Sequence, residues 1–110
     1  MENKPICEID TDGTKRWYNE DGLYHRLDGP AIELLNGTKR WYLNGKVHRL
    51  DGPAIEPCDG EIYYWFINDY NVTDKITTWA KDNDIDLDNL SEDNKLLIKL
   101  VWADYSGIIK

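Results

Sequence analysis

The histidines of this 110-residue chain are His25 and His48, and each is followed by Arg and then, three positions on from His, by Asp. A carboxylate that orients an imidazole is the pairing of a general base, so His25 with Asp28 and His48 with Asp51 are the first candidates for proton-transfer chemistry. Their tandem duplication favours another use. A catalytic centre needs one such constellation, whereas a device that shapes every junction of a repeat needs one per repeat. The expectation is therefore a structural network of His25, Arg26, Asp28, His48, Arg49 and Asp51 that satisfies turn backbone groups and one another, with no catalytic residue. No Ser or Cys is spaced as a nucleophile, and no glycine loop resembles a phosphate cradle.

A second chemistry to test is metal binding. Asp82-Asn83-Asp84-Ile85-Asp86-Leu87-Asp88 opens like a calcium loop, but the sixth position, where Gly makes the sharp turn, is Leu87. The twelfth, where a bidentate Glu belongs, is Asp93. No metal or other cofactor is expected, and the plain reading is a solvated linker pinned by Ile85, Leu87 and Leu90. Asp82, Asp84, Asp86, Asp88, Glu92 and Asp93 follow one another without an intervening base. Most such runs are only solvated. A small acidic protein can nevertheless present carboxylates to the basic groove of a nucleic-acid enzyme and gain from electrostatic steering, so these six are candidates for partner binding.

The elements that position these residues come from a repeat. Gly13-Thr14-Lys15-Arg16-Trp17-Tyr18 recurs as Gly37-Thr38-Lys39-Arg40-Trp41-Tyr42, and the block HRLDGPAIE at His25 to Glu33 recurs at His48 to Glu56. The two offsets differ by one residue, so a loop between the blocks tolerates variation. Partial copies at Pro5-Ile6-Cys7-Glu8 and Trp65-Phe66-Ile67-Asn68 extend the repeat region over residues 4–70. Asp12-Gly13, Asp21-Gly22, Asn36-Gly37, Asn44-Gly45 and Asp59-Gly60 read as type I′ hairpin tips. Between them lie short stretches rich in β-branched and aromatic residues. Gly before Pro in each Leu-Asp-Gly-Pro separates successive hairpins. The pattern predicts an antiparallel meander in which each unit contacts mainly its neighbours.

The residues G-T-x-x-W-Y-x-N-G-x-x-H-R-x-D-G-P-A-I-E resemble the MORN-like repeats of small bacteriophage, large DNA virus and some bacterial proteins. The likeness is to a divergent branch, since the glycine series of the ordinary unit is absent. It implies a hairpin-repeat sheet used as a scaffold in a small viral accessory protein, and it supplies no catalytic residues.

Beyond residue 70 the apolar period becomes helical. Thr73 is expected to cap a first helix with Ile76, Trp79 and Ala80 on its inner face, and Ser91 a second. In the second, Leu96, Leu97, Leu100 and Val101 trace one stripe, which Ile98, Trp102 and Tyr105 widen, so contact on two sides is expected. The tail Gly107-Ile108-Ile109-Lys110 reads as a short strand or a loose end. The fold class expected is α+β, one domain over 1–110, with a two-helix segment at 73–105 covering one sheet face and shielding its aromatic rows. Adjacent strand residues point to opposite faces, so Trp17 and Trp41 are expected inward, with Tyr18 and Tyr42 outward as candidate contacts for a partner.

Composition sets the remaining bounds. With 21 acidic and 13 basic side chains the net charge is −8, which opposes nucleic acid and anionic lipid alike. The two cysteines make no disulfide framework, and the N-terminus lacks the pattern of a secretory leader. The reading is a cytoplasmic, non-enzymatic protein-interaction module, host-cytoplasmic if viral. The alternative is an acidic inhibitor of a host nucleic-acid-binding or defence enzyme. Oligomeric state is open.

Overall fold

The computed structural model describes residues 6–60 and 62–108, with side-chain surroundings described as far as Trp102. Pro5, Ile109 and Lys110 lie outside the described residues. Strands β1 (Ile6–Ile9), β2 (Lys15–Tyr18), β3 (Ile32–Glu33), β4 (Lys39–Arg40), β5 (Tyr42–Leu43), β6 (Lys46–Val47), β7 (Ile55–Glu56), β8 (Phe66–Ile67) and β9 (Tyr70–Asn71) precede helices α1 (Thr73–Asp82) and α2 (Glu92–Ile108). The chain is an α+β fold. Its main sheet is antiparallel in the order β1-β2-β3-β4-β7, while β5-β6 and β8-β9 are separate hairpins.

The register explains why so short a set of strands holds. Lys15 pairs with Glu33, Glu33 with Lys39 and Lys39 with Glu56, a row that alternates in sign across the sheet. The neighbouring row carries Arg16, Ile32, Arg40 and Ile55. Opposite charges or stem-to-apolar contacts at each crossing stabilise the pairing that like charges would oppose.

The turns correct one expectation. Only Asn44-Gly45 among the five Asx-Gly tips has positive φ at both residues, 52° and 85°. At Gly13, Gly22, Gly37 and Gly60 the glycine alone is left-handed, and its amide donates to the carbonyl three residues back. Gly13 bonds Asp10, and Gly37 bonds Leu34, at 3.0 and 2.9 Å. This is the longer hairpin loop in which Gly occupies the left-handed position of a bulge. Asx side chains tie down three of these loops: Asp12 and Asn36 each accept the amide two residues on, from Thr14 and Thr38, and Asn19 accepts the Asp21 and Leu23 amides around Gly22. A second two-residue turn with both φ positive, Asn68-Asp69 at 51° and 71°, joins β8 to β9 without any glycine.

The helices pack at one end. Trp65, Ile67, Val72, Ile76, Ile98 and Trp102 form the buried cluster, with Leu50, Trp79, Leu87 and Leu90 against it. Of the three equivalent tryptophans only Trp65 belongs to it, so the expected shielding of the aromatic rows along the sheet is confined to the last repeat. The linker is pinned by Leu87 and Leu90, and Ile85 is half-buried beside them, its amide on the Ala80 carbonyl at 2.8 Å.

Three further expectations change. Thr73 does not cap α1: Val72 is the cap residue and makes no side-chain cap bond, while the Thr73 hydroxyl accepts the Trp65 amide at 2.9 Å. Ser91 does serve α2, accepting the Asn94 amide at 3.1 Å. The stripe Leu96, Leu97, Leu100 and Val101 is exposed, and the buried side of α2 is Ile98 and Trp102. Gly107 and Ile108 continue the helix instead of forming a strand or loose end.

Candidate functional site: a duplicated network and an acidic end

Each repeat junction is built by the same bonds in both copies. Arg26 donates Nε to Asp28 at 3.0 Å and Nη1 to the Pro30 carbonyl and Glu33, both at 3.1 Å. Arg49 repeats this with Asp51 at 2.9 Å, Pro53 at 3.0 Å and Glu56 at 2.9 Å. Each guanidinium also lies over a tryptophan face, Arg26 at 4.0 Å from the Trp17 ring centre and Arg49 at 3.9 Å from that of Trp41. A planar fork with five donors suits two carboxylates, a carbonyl and a ring at once; a lysine ammonium does not. The glycine of Asp-Gly-Pro makes room for it. A Cβ on Gly52 would sit 2.6 Å from Arg49 Cζ, and one on Gly29 2.9 Å from Arg26 Cζ.

The histidines work on the next hairpin. His25 Nδ1 accepts the Asn44 amide at 3.0 Å, and His48 Nδ1 accepts the Asn68 amide at 3.1 Å. Each therefore holds the first residue of a tight turn in the following repeat. An imidazole can accept there only when neutral at Nδ1, and burial pushes His48 below its ordinary pKa of 6.5. Neither histidine bonds the Asp three residues on; those carboxylates bond the arginines. For Asp51 burial acts to raise the pKa, but the Arg49 hydrogen bond and the Arg49 and Lys99 charges outweigh it, and the net shift is downward.

The geometry brings in residues that sequence reasoning passed over. Glu33 and Glu56 close the duplicated block and could have been found there, since each lies seven positions from its arginine. Trp17 and Trp41 are half-buried under the guanidiniums. Tyr18, Tyr24 and Tyr42 form a row of rings at 5.3 and 5.2 Å between centres, also half-buried, so the two candidate tyrosines are joined by a third. Between the junctions a cleft of about 400 Å³ is lined by Arg26, Asp28, Trp41, His48, Arg49 and Asp51 among others, with Lys99 from α2. Its arginines already meet carboxylates.

On the linker and at the start of α2, Asp82, Asp84, Asp86, Asp88, Glu92 and Asp93 are all exposed. Glu92 pairs with Lys95 at 3.1 Å. Asp86 accepts the Asp88 amide at 3.0 Å, a local turn, and Asp84 has a left-handed φ of 59°. Among the described residues no group of three or more His, Cys, Asp or Glu is placed to hold a metal ion. Cys7 and Cys58 are free and exposed, and no described helix is long and apolar enough to cross a membrane. The chain matches no family model, and searches of the curated proteins and of the solved structures find no significant match.

Proposed function

We propose that this chain is a non-enzymatic protein-interaction module, a MORN-like hairpin array that serves as a small viral accessory protein in the host cytoplasm. The observation that carries the reading is the duplicated bonding of His-Arg-x-Asp-Gly-Pro: both imidazoles accept turn amides and both guanidiniums join carboxylate, carbonyl and ring. Groups engaged in the same way at successive junctions hold a scaffold together, and a scaffold acts through its surface. A second reading is favoured by the six exposed carboxylates: an acidic inhibitor that offers them to the basic groove of a host nucleic-acid-binding or defence enzyme. Neither reading involves direct contact with nucleic acid or membrane.

Affinity capture from a bacterial lysate followed by mass spectrometry tests both. A captured protein whose association slows and loses salt dependence when Asp84, Asp86 and Asp88 become Asn supports the inhibitor. Asn keeps the acceptor that Asp86 supplies and tolerates the left-handed φ at 84, so folding is expected to be unchanged. Association indifferent to that triple change removes the acidic linker as the contact and leaves the module. An enzymatic activity lost in a fully stable Asp51→Ala protein would overturn the module itself.

A further inference from the structure

As far as its side chains are described, helix α2 carries two apolar faces, of which one is buried and one exposed. Ile98 and Trp102 are 1 % and 7 % exposed, whereas Leu96, Leu97, Leu100 and Val101 are 57, 40, 69 and 45 % exposed. Isolated exposed leucines are ordinary, but four large apolar side chains within six consecutive positions form a contiguous patch, which marks an interaction surface. Their spacing sets its shape. Residues four apart share a helix face, so Glu92, Leu96 and Leu100 make one row and Asp93, Leu97 and Val101 the next. Two parallel rows with a groove between them accept the ridge of another helix, as in helix-in-groove recognition.

Charge selects the occupant. Both rows begin with an exposed carboxylate, but Glu92 is already paired with Lys95, and Lys99 follows it along that side. The acids left for a partner are Asp93 and, on the linker that leads into the rows, the exposed Asp86 and Asp88. The whole chain carries −8, which opposes the approach of a second copy and favours a cationic partner. We infer that the exposed face of α2 docks an amphipathic helix of a partner protein, with its apolar stripe on Leu96, Leu97, Leu100 and Val101 and its basic flank against Asp93 and the linker carboxylates Asp86 and Asp88. This rests on the interaction-module reading and names the chemistry of the partner.

The probe is a fluorescein-labelled peptide of Leu and Lys, about five helical turns long, with its leucines on one stripe. Its isomer of identical composition has the leucines scattered around the helix. Fluorescence anisotropy with the full chain at near-physiological ionic strength is expected to show at least about tenfold tighter binding of the striped peptide. The Leu96→Gln, Leu100→Gln double variant is expected to lose that preference with its melting curve unchanged, since both side chains are exposed. Should the variant fold poorly, hydrogen exchange on the unaltered chain gives the second readout, with peptide-induced protection expected across residues 96–101. Equal binding of the two isomers, or no change in α2 exchange, overturns the inference in favour of charge alone and leaves the module reading intact. Sedimentation showing a dimer that the double variant disperses assigns the face to a second copy, and flotation with phosphatidylcholine vesicles that the variant abolishes assigns it to a membrane. Either result also overturns the inference.

Discussion

Asp51 and Gly52 are adjacent in sequence and act on the same guanidinium from opposite directions. Asp51 anchors Arg49 Nε at 2.9 Å, and Gly52 keeps clear the space in which Arg49 lies. Asp51→Ala removes one acceptor of a half-buried donor and is expected to lower unfolding free energy by about 1–3 kcal/mol, read by denaturant titration. Gly52→Ala crowds the guanidinium where it lies; because a side-chain tip can shift slightly and keep its partners, the expected loss is smaller, about 1 kcal/mol. If Gly52→Ala proves the costlier change, the backbone at the junction and not the arginine is what the glycine serves. His48 gives a pH signature. Its pKa is lowered in the folded chain, so the unfolded chain binds the proton more readily, and stability falls as pH drops below about 6.5. Asp51 titrates lower, its contribution present above its ordinary 3.8 and lost as pH falls through its depressed folded value. Melting temperatures between pH 7.5 and 5 are therefore expected to fall on acidification, and His48→Asn to flatten that slope, since an amide oxygen accepts from Asn68 at either pH. An unchanged slope in the variant would place the titration elsewhere.

The elements show how an array of hairpins ends. Trp17 and Trp41 donate their amides to Ala31 and Ala54 carbonyls of the next unit at 2.8 and 2.7 Å, whereas Trp65 donates to the Thr73 hydroxyl. His25 and His48 donate their amides to Trp17 and Trp41; Val72, at the matching place, donates to Trp65. The last unit thus exchanges the histidine for an apolar residue of the core, and a side chain supplies the acceptor that a further repeat would have given. Thr73→Val is expected to cost about 1–2 kcal/mol by leaving the Trp65 amide unpaired, and Thr73→Ser to restore most of it. Equal stability of the three proteins would show that water or a shifted carbonyl satisfies that amide. This exchange also marks what the sequence made legible. Repetition exposed the meander, the His-Arg-Asp grouping and the position of the helices, because duplicated residues and a change of period are visible in one chain. Thr73 looked like a cap because a hydroxyl before an acid fits that role locally, and only the third repeat, too divergent to align beyond Asn68, shows its other partner. The exposure of the wider stripe of α2 has a related reason. Leu96, Leu97, Leu100 and Val101 form the stronger stripe, and burial of Ile98 and Trp102 instead depends on the distant Trp65, Ile67 and Val72.

At the scale of the molecule, burial has a direction. The buried cluster lies at the helical end, while β1 at the other end has all four residues exposed and, among the described residues, pairs only with β2. Units that contact mainly their neighbours open in sequence from the weaker end, and the free energy of each opening sums the junctions that must break. Breaking the Arg26 junction releases β1, β2 and their loops; breaking the Arg49 junction separates the whole array from the helices. Native-state hydrogen exchange is expected to rank the equivalent amides accordingly, with Trp17 opening at the lowest free energy, Trp41 higher and Val72 near the global value. Arg26→Ala should then speed exchange at Trp17 and Trp41 together, whereas Arg49→Ala should speed it at Trp41 and leave Trp17 unchanged, with Val72 the slowest of the three in both variants. Uniform exchange at all three amides in the unaltered chain would mean that the junctions couple the repeats into one cooperative unit.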